Sequence, residues 1–278
     1  MIRVGLVGFG FSARTFHLPF ITTSDLFELV AISSSRVDVV SATYPGVSAY
    51  DSAEELIRSA DIDLIIIAAP NYVHYTLARK SLEKGLHVVL EKPMVPSSTQ
   101  AASLVELADR RSRMLSVFQN RRWDGDFLTL QRLVDGNAVG DVRYFESHFD
   151  RFRPDVRHRW REMPGAGSGF WWDLGPHLVD QALCLFGMPE GLTARTRTMR
   201  HGAQVTDYFH VLLHYSDLDV VLHSSPFVAA PNIRFQLQGT AGSYVKYGYD
   251  PQEAQLKSGM SPVDVGYGVE SPEEPEEY

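Results

Sequence analysis

The chain has 278 residues, 44% hydrophobic and 22% charged, enough to bury a sizeable core in one large or two modest domains. Lys plus Arg total 26 against 34 acidic residues, a net charge of −8, and this excludes the basic footprint of a nucleic-acid binder. The longest apolar run, 64–70, is far short of the roughly 20 residues of a membrane span, and a single cysteine, Cys184, excludes an intrachain disulfide and fits a reducing, cytoplasmic setting.

The first ten residues break into glycines before a signal-peptide core could form. From residue 2, short β-branched runs at 2–7, 29–32, 63–68, 87–90 and 114–117 alternate with amphipathic stretches at 16–22, 53–58, 73–84 and 98–111. That alternation predicts a doubly wound parallel sheet with crossover helices, an α/β Rossmann-like domain over 1–119. Beyond it the rhythm changes. A helix at 127–134 ends at Asp135-Gly136, a strand follows at 142–148, and a loop rich in Arg, Pro and Gly runs over 151–169. A helix is predicted from Pro176 to residue 186, stopped by Gly187, with Asp173 at its start and Cys184 in its apolar core. Runs at 194–199, 208–215, 220–224, 233–238 and 243–246, the middle pair joined by a turn at 216–219, predict a largely antiparallel sheet. Residues 120–278 therefore form a second, α+β domain. The Pro- and Glu-rich end, 271–278, fits neither domain, and Glu270, Glu273, Glu274, Glu276 and Glu277 together hold most of the net negative charge.

Directly after the first strand stands Gly8-Phe9-Gly10-Phe11-Ser12-Ala13, a G-x-G-x-x-A pattern. The first glycine permits a tight turn, the second lets backbone approach a pyrophosphate, and Ala13 allows close helix packing at a helix N-terminus that attracts anions. A strand before the motif and a helix after it raise a weak signal to a specific one. An NAD site places Asp or Glu about 20 residues on, at the end of the second strand. Here the sequence reads Ser33, Ser34, Ser35 and Arg36, hydroxyls and a guanidinium suited to a 2′-phosphate, so NADP is expected over NAD. A solvated serine turn competes with that reading, and Asp38 is the rival ribose ligand.

The third run ends in Pro70-Asn71-Tyr72-Val73-His74 and the fourth in Glu91-Lys92-Pro93, both at strand carboxyl ends where such sheets bind ligands. Lys92, held extended by Pro93, could exchange a proton with a substrate hydroxyl, although taken alone it reads as an ordinary surface lysine. Asp173 and His177, four apart, share a helix face, and a carboxylate beside an imidazole fixes its tautomer for general-base work. An ordinary surface ion pair or a metal site are the alternatives. His210, His214 and His223 on paired strands raise zinc, which is set aside for an exposed or subunit-facing sheet surface, because outer-sphere partners cannot be identified; no metal site is expected. Asn120 and Arg121, in the segment joining the domains, and Arg151, Arg153, Arg157, Arg159 and Trp160 could grip a polyhydroxylated or anionic substrate or equally be surface charge, and loop composition alone does not decide between the two.

Taken together, the G-x-G-x-x-A loop, Pro70-Asn71-x-x-His74, Glu91-Lys92-Pro93 and Asp173-x-x-x-His177 resemble the Gfo/Idh/MocA oxidoreductases over essentially the whole chain. The stretches 32–36, 116–124 and 146–154 look more narrowly like the branch that includes NADP-dependent scyllo-inositol dehydrogenases. The resemblance implies Lys92, Asp173 and His177 as the catalytic set. It implies NADP held by Gly8, Gly10, Phe11, Ser12, Ala13, Ser33, Ser34, Ser35, Arg36, Pro70, Asn71, His74, Glu91, Lys92, Asn120 and Arg121. A polyol, inositol or sugar would lie against Lys92, Arg121, Trp160, Trp172, Asp173 and His177. It also implies homodimers or homotetramers built through the second-domain sheet, and chains that continue beyond the acidic end. A catalytically silent dinucleotide-binding sensor of the same fold is the competing function; an intact Lys92, Asp173 and His177 set argues against it, since a sensor has no use for a proton relay.

Overall fold

A computed structural model describes residues 1–270; the expectation for 271–278 lies outside the described residues. The chain divides into two units, one of residues 1–118 with 251–269 and the other centred on 119–250. The second boundary differs from the sequence expectation, because residues 251–269 return to the first unit. There Tyr267 meets Phe20 edge to face and Lys257 lies over the Phe11 ring, 5.4 Å from its centroid.

The first unit runs β1 (Ile2–Val7), a π-helical turn (Ala13–His17) continuing into α1 (Leu18–Thr23), β2 (Phe27–Ser33), α2 (Val37–Thr43), β3 (Ser48–Tyr50), α3 (Ala53–Ser59), β4 (Leu64–Ile67), α4 (His74–Lys84), β5 (His87–Glu91), α5 (Ser98–Arg111) and β6 (Leu115–Phe118). Its sheet is parallel, in the order β3-β2-β1-β4-β5-β6. That order reverses at β1, the switch point that carries the glycine loop. The apolar run Leu64–Ile67 is buried throughout because both sheet faces are covered: Ile65 and Ile67 join one core, Leu64 and Ile66 the other. The sequence reading misses β3 and α2. β3 is a three-residue edge strand of Ser, Ala and Tyr, too short to carry a period.

The second unit contains α6 (Gly125–Asp135), β7 (Val142–His148), α7 (Phe170–Phe186), β8 (Gly191–Arg197), β9 (Tyr208–His214), β10 (Asp219–Ser224), β11 (Ile233–Gly239) and β12 (Ser243–Tyr247); α8 (Gln252–Lys257) belongs to the first. The sheet order is β12-β11-β7-β10-β9-β8, antiparallel except for the β7–β10 pair. Phe127 and Leu130 of α6 and Leu174, Leu178 and Ala182 of α7 share one core with Phe145, Phe209, Leu222 and Phe235. Alternation along β9 then leaves Tyr208, His210, Leu212 and His214 on the opposite face.

Two expectations for α7 need correction. The helix begins at Phe170, so Pro176 lies inside it rather than at its first turn. The start is fixed by tertiary contact: Gly169, at φ +93°, lies so close to the Thr206 carbonyl that a Cβ would come within 2.7 Å of it, and Phe170 N–H donates to that carbonyl at 2.7 Å. Cys184 is exposed, not core, because it lies off the stripe formed by Leu174, Leu178 and Ala182.

Candidate active site

β1 delivers the glycine loop with Gly8 at φ +97°, where an added Cβ would meet the Ala68 carbonyl oxygen at 2.4 Å. Only glycine allows that turn. At Gly10 an added Cβ meets nothing within 4 Å, so the loop backbone is open on that side, with room for the phosphates of a dinucleotide. Phe11 is exposed, Ser12 half-buried and Ala13 buried at the start of the π-helical turn, a helical variant often found at functional sites.

β2 ends at Ser33, which is buried and whose carbonyl accepts from Gly8 N–H at 2.9 Å. Ser35 and Arg36 are exposed beyond it, and Ser34 Oγ accepts from Arg36 N–H at 3.0 Å. Arg36 Nη2 reaches back to donate to the Phe9 carbonyl at 2.6 Å, its guanidinium 6.0 Å from the Phe9 ring centroid. A cation therefore caps the glycine loop where a ribose carboxylate would otherwise stand. Asp38 lies in the first turn of α2, beyond the strand end.

Below the loop, Glu91 at the end of β5 is buried and gathers three donors: Ser12 Oγ, His17 Nε2 at 3.1 Å and Lys92 N–H at 3.1 Å. Burial alone would push the Glu91 carboxyl up. Hydrogen bonds from His17 and Ser12 and the charges of His17 and Lys92 win, and hold it below the usual carboxylate range. His17 also lies against Phe118, ring centroids 4.1 Å apart. Lys92 is half-buried at the strand end, in a cis linkage to Pro93. Asn71 and His74 are buried, at 3% and 1% exposure. The His74 ring spans the Ala69 carbonyl (Nε2, 2.9 Å) and the Pro93 carbonyl (Nδ1, 3.0 Å), so it ties the loops after β4 and β5 together instead of presenting a donor to a ligand. Pro70 precedes the short 3-10 turn Asn71–Val73 that leads into α4.

In the second unit, Asp173 lies in the first turn of α7 and His177 one turn on, buried, with its ring 6.0 Å from that of Phe149. Arg161 pairs with Asp173 (Nε to Oδ1, 3.2 Å) and lies over Trp160, 4.7 Å from the ring centroid. Trp160 and Trp172 are partly exposed. Gly175 lies under Trp171, where an added Cβ would come within 2.7 Å of the indole, which is why glycine precedes Pro176 there. Asn120 and Arg121 occupy a 3-10 turn, Asn120–Trp123. Arg121 pairs with Asp124 (Nη1 to Oδ2, 3.3 Å) and faces the Phe149 ring at 5.9 Å. Arg122 is bound to Asp180 through two hydrogen bonds of 2.7 and 2.6 Å. Arg159 is held by Glu162 at 2.6 Å. Neither of these two guanidiniums joins the Asp173 group.

Sequence reasoning missed what lies beneath. Arg234, fully buried, lies 4.2 Å from the Phe149 centroid, donates to Ser147 Oγ (3.0 Å), the His148 carbonyl (3.1 Å) and Gln181 Oε1 (3.0 Å), and pairs with Asp126 at 3.7 Å. Gln181 in turn donates to the Arg121 carbonyl at 2.9 Å. Burial, with Asp126 and Asp250 nearby, raises the Asp124 carboxyl to about 7 against the opposing charge of Arg121. An arginine in an alternating strand reads as surface, and no local pattern reveals this network.

Residues 2–119 match the family described as the oxidoreductase family with an NAD-binding Rossmann fold, and residues 127–245 match the GFO/IDH/MocA C-terminal domain. The chain is 50% identical over 270 residues to the uncharacterized oxidoreductase YdgJ of Escherichia coli, covering 96% of this chain and 78% of the relative. It is 37% identical over 272 residues to the scyllo-inositol 2-dehydrogenase (NADP(+)) IolW of Bacillus subtilis, covering 98% and 76%. The crystal structure of an oxidoreductase from Bacillus cereus superposes with a TM-score of 0.90 at 36% identity, covering 98% of this chain and 78% of that one. No helix among the described residues is long and apolar enough to cross a membrane.

Proposed function

The chain belongs to the Gfo/Idh/MocA oxidoreductases, and from that premise we propose that it transfers a hydride between NADP and the carbinol carbon of a polyol, inositol or sugar. The observation that carries the cofactor choice is the Arg36 guanidinium bound to the Phe9 carbonyl above the glycine loop, next to Ser34 and Ser35. Arg36 supplies a planar cation for a 2′-phosphate, and the serine hydroxyls supply further donors. The loop from Gly8 to Ala13 would hold the pyrophosphate, with Glu91 fixing Ser12 beneath it. When bound, the nicotinamide gives or takes the hydride.

His177 takes the substrate hydroxyl proton in the oxidative direction and returns it in the reductive one. Asp173 holds the imidazole in the tautomer that can do so, and Lys92 donates a hydrogen bond to the reacting oxygen and stabilises its developing charge. Support for these roles comes from the residue types at matching family positions and from the burial of His177 beside Phe149. Arg121, Trp160 and Trp172 would contact the substrate. The sheet face carrying Tyr208, His210, Leu212 and His214 supports a homodimer or homotetramer formed through it.

Fluorescence titration with NADPH and NADH tests the reading even before a substrate is identified. Tight NADPH binding, weakened by Arg36→Asp roughly 10- to 100-fold as expected for a lost charge-assisted contact, supports it. Binding of neither nucleotide overturns it.

A further inference from the structure

On the face of the second sheet turned away from α6 and α7, the parallel register of β7 and β10 sets His148 directly beside His223, and the antiparallel register of β10 and β9 sets His210 beside His223. The His148 and His223 rings are 5.1 Å apart, centroid to centroid, and His223 and His210 5.8 Å. Asp150, two residues past His148, turns its carboxylate between the first pair: His148 Nδ1 lies 2.9 Å from Oδ2 and His223 Nδ1 2.9 Å from Oδ1. Asp150 is 5% exposed, and its position is fixed by Ser225 N–H, which donates to Oδ1 at 2.7 Å. Two imidazole nitrogens and a carboxylate oxygen thus converge, each within 4.8 Å of the others.

We propose that His148 Nδ1, His223 Nδ1 and an Asp150 carboxylate oxygen form a binding site for a divalent transition-metal cation of the zinc class, independent of the hydride-transfer site. Nitrogen and carboxylate donors in this number suit Zn2+, with a fourth position left for water or a further ligand. Each ring binds as neutral imidazole, giving Nδ1 to the metal and keeping its proton on Nε2, so cation entry releases any second ring proton to solvent. For His148 that remaining N–H has a partner already in place: Nε2 lies 2.9 Å from Glu146 Oε2. A carboxylate behind a ligating imidazole fixes the ring and raises its basicity, the outer support that metal-binding histidines almost always have. The sequence pattern drew attention to His210 and His214 with His223. The fold exchanges both for His148 and Asp150, because β7 and β10 pair across about 75 intervening residues of chain.

The bound cation would clip the end of β7 to β10, at the point where the chain leaves the sheet for the loop carrying Arg161 and Trp160. A cation bound only by the folded state stabilises it by RT ln(1 + [cation]/Kd), so the unfolding temperature rises with the logarithm of cation concentration once that exceeds the dissociation constant.

The test uses the full chain, free of any purification tag, carrying Cys184→Ser so that the exposed thiol cannot bind metal, and stripped with chelator. Zn2+ is titrated by calorimetry, and Co2+ binding is followed by its visible absorption. One Zn2+ per chain, the intense absorption of a tetrahedral Co2+ site and a rise in melting temperature are expected. Glu146→Gln should weaken binding roughly 10- to 100-fold, and His148→Ala and His223→Gln more than that, while His214→Ala on the same face leaves it unchanged. His223→Gln keeps a hydrogen-bonding side chain facing Asp150, and the metal-free melting curve of each variant shows whether it folds. Absence of stoichiometric Zn2+ in the parent protein, or binding that survives both histidine substitutions, overturns the assignment and leaves an ion-pair network.

Discussion

His17 Nε2 stands 3.1 Å from Glu91 Oε1, joining the helical turn behind the glycine loop to the strand end that carries Lys92. Both groups are buried, and Ser12 donates to the same carboxylate oxygen. One carboxylate thus couples the shape of the phosphate loop to the position of the lysine next to it.

His17→Ala leaves that carboxylate buried without its main partner, which should cost about 3 kcal/mol of unfolding free energy and weaken NADPH binding. The pH dependence has a definite sign. Because the Glu91 carboxyl lies below its ordinary value, its contribution is complete above about pH 4.3 and is lost as pH falls through the lower, folded value. Urea unfolding of parent and variant should therefore converge on acidification, and a gap that stays constant down to pH 3 would sink the account.

Asp124 behaves in the opposite sense. Its folded value, about 7, lies above that of an unfolded aspartate, so the native state holds the extra proton between about pH 4 and 7 and the unfolded state does not. Stability is then lost as pH rises through that window. Asp124→Asn removes the titration, and its stability relative to the parent should improve by roughly 2–4 kcal/mol from pH 4 to pH 8; parallel denaturation midpoints across that range would refute this.

The two glycines of the loop separate folding from binding. Gly8→Ala must place a Cβ against the Ala68 carbonyl at a φ of +97°, and is expected to lose about 2 kcal/mol of stability or more. Gly10→Ala meets no protein atom within 4 Å, so its melting temperature should match the parent while NADPH affinity falls. Normal cofactor affinity in a folded Gly10→Ala protein would move the phosphates elsewhere.

For the hydride transfer, Lys92→Ala and His177→Ala should each lower kcat by about 100- to 10,000-fold with NADPH binding largely kept. Asp173→Asn should lower kcat and alter its pH profile, because the imidazole loses its orienting charge. A comparable loss of NADPH affinity in all three would assign them to the cofactor instead.

The sequence by itself determined the parallel sheet, the glycine loop and the serine-arginine end of β2, because each rests on local chemistry: apolar runs buried on both faces, a turn only glycine can make, and Ser33 to Arg36 directly after the second apolar run. It also marked Lys92, Asp173 and His177 by their positions in short motifs. Tertiary structure decided the rest. The start of α7 depends on the Thr206 carbonyl, distant in sequence from Gly169. The side-chain partners of Glu91, Ser12 and His17, come from the end of the glycine loop and the helical turn after it, and those of buried Arg234 come from α6, β7 and α7. The meeting of His148, Asp150 and His223 needs the one parallel pairing in an otherwise antiparallel sheet. Polar groups of this kind are satisfied by whatever the folded chain brings within about 3 Å, and sequence spacing carries no record of those neighbours.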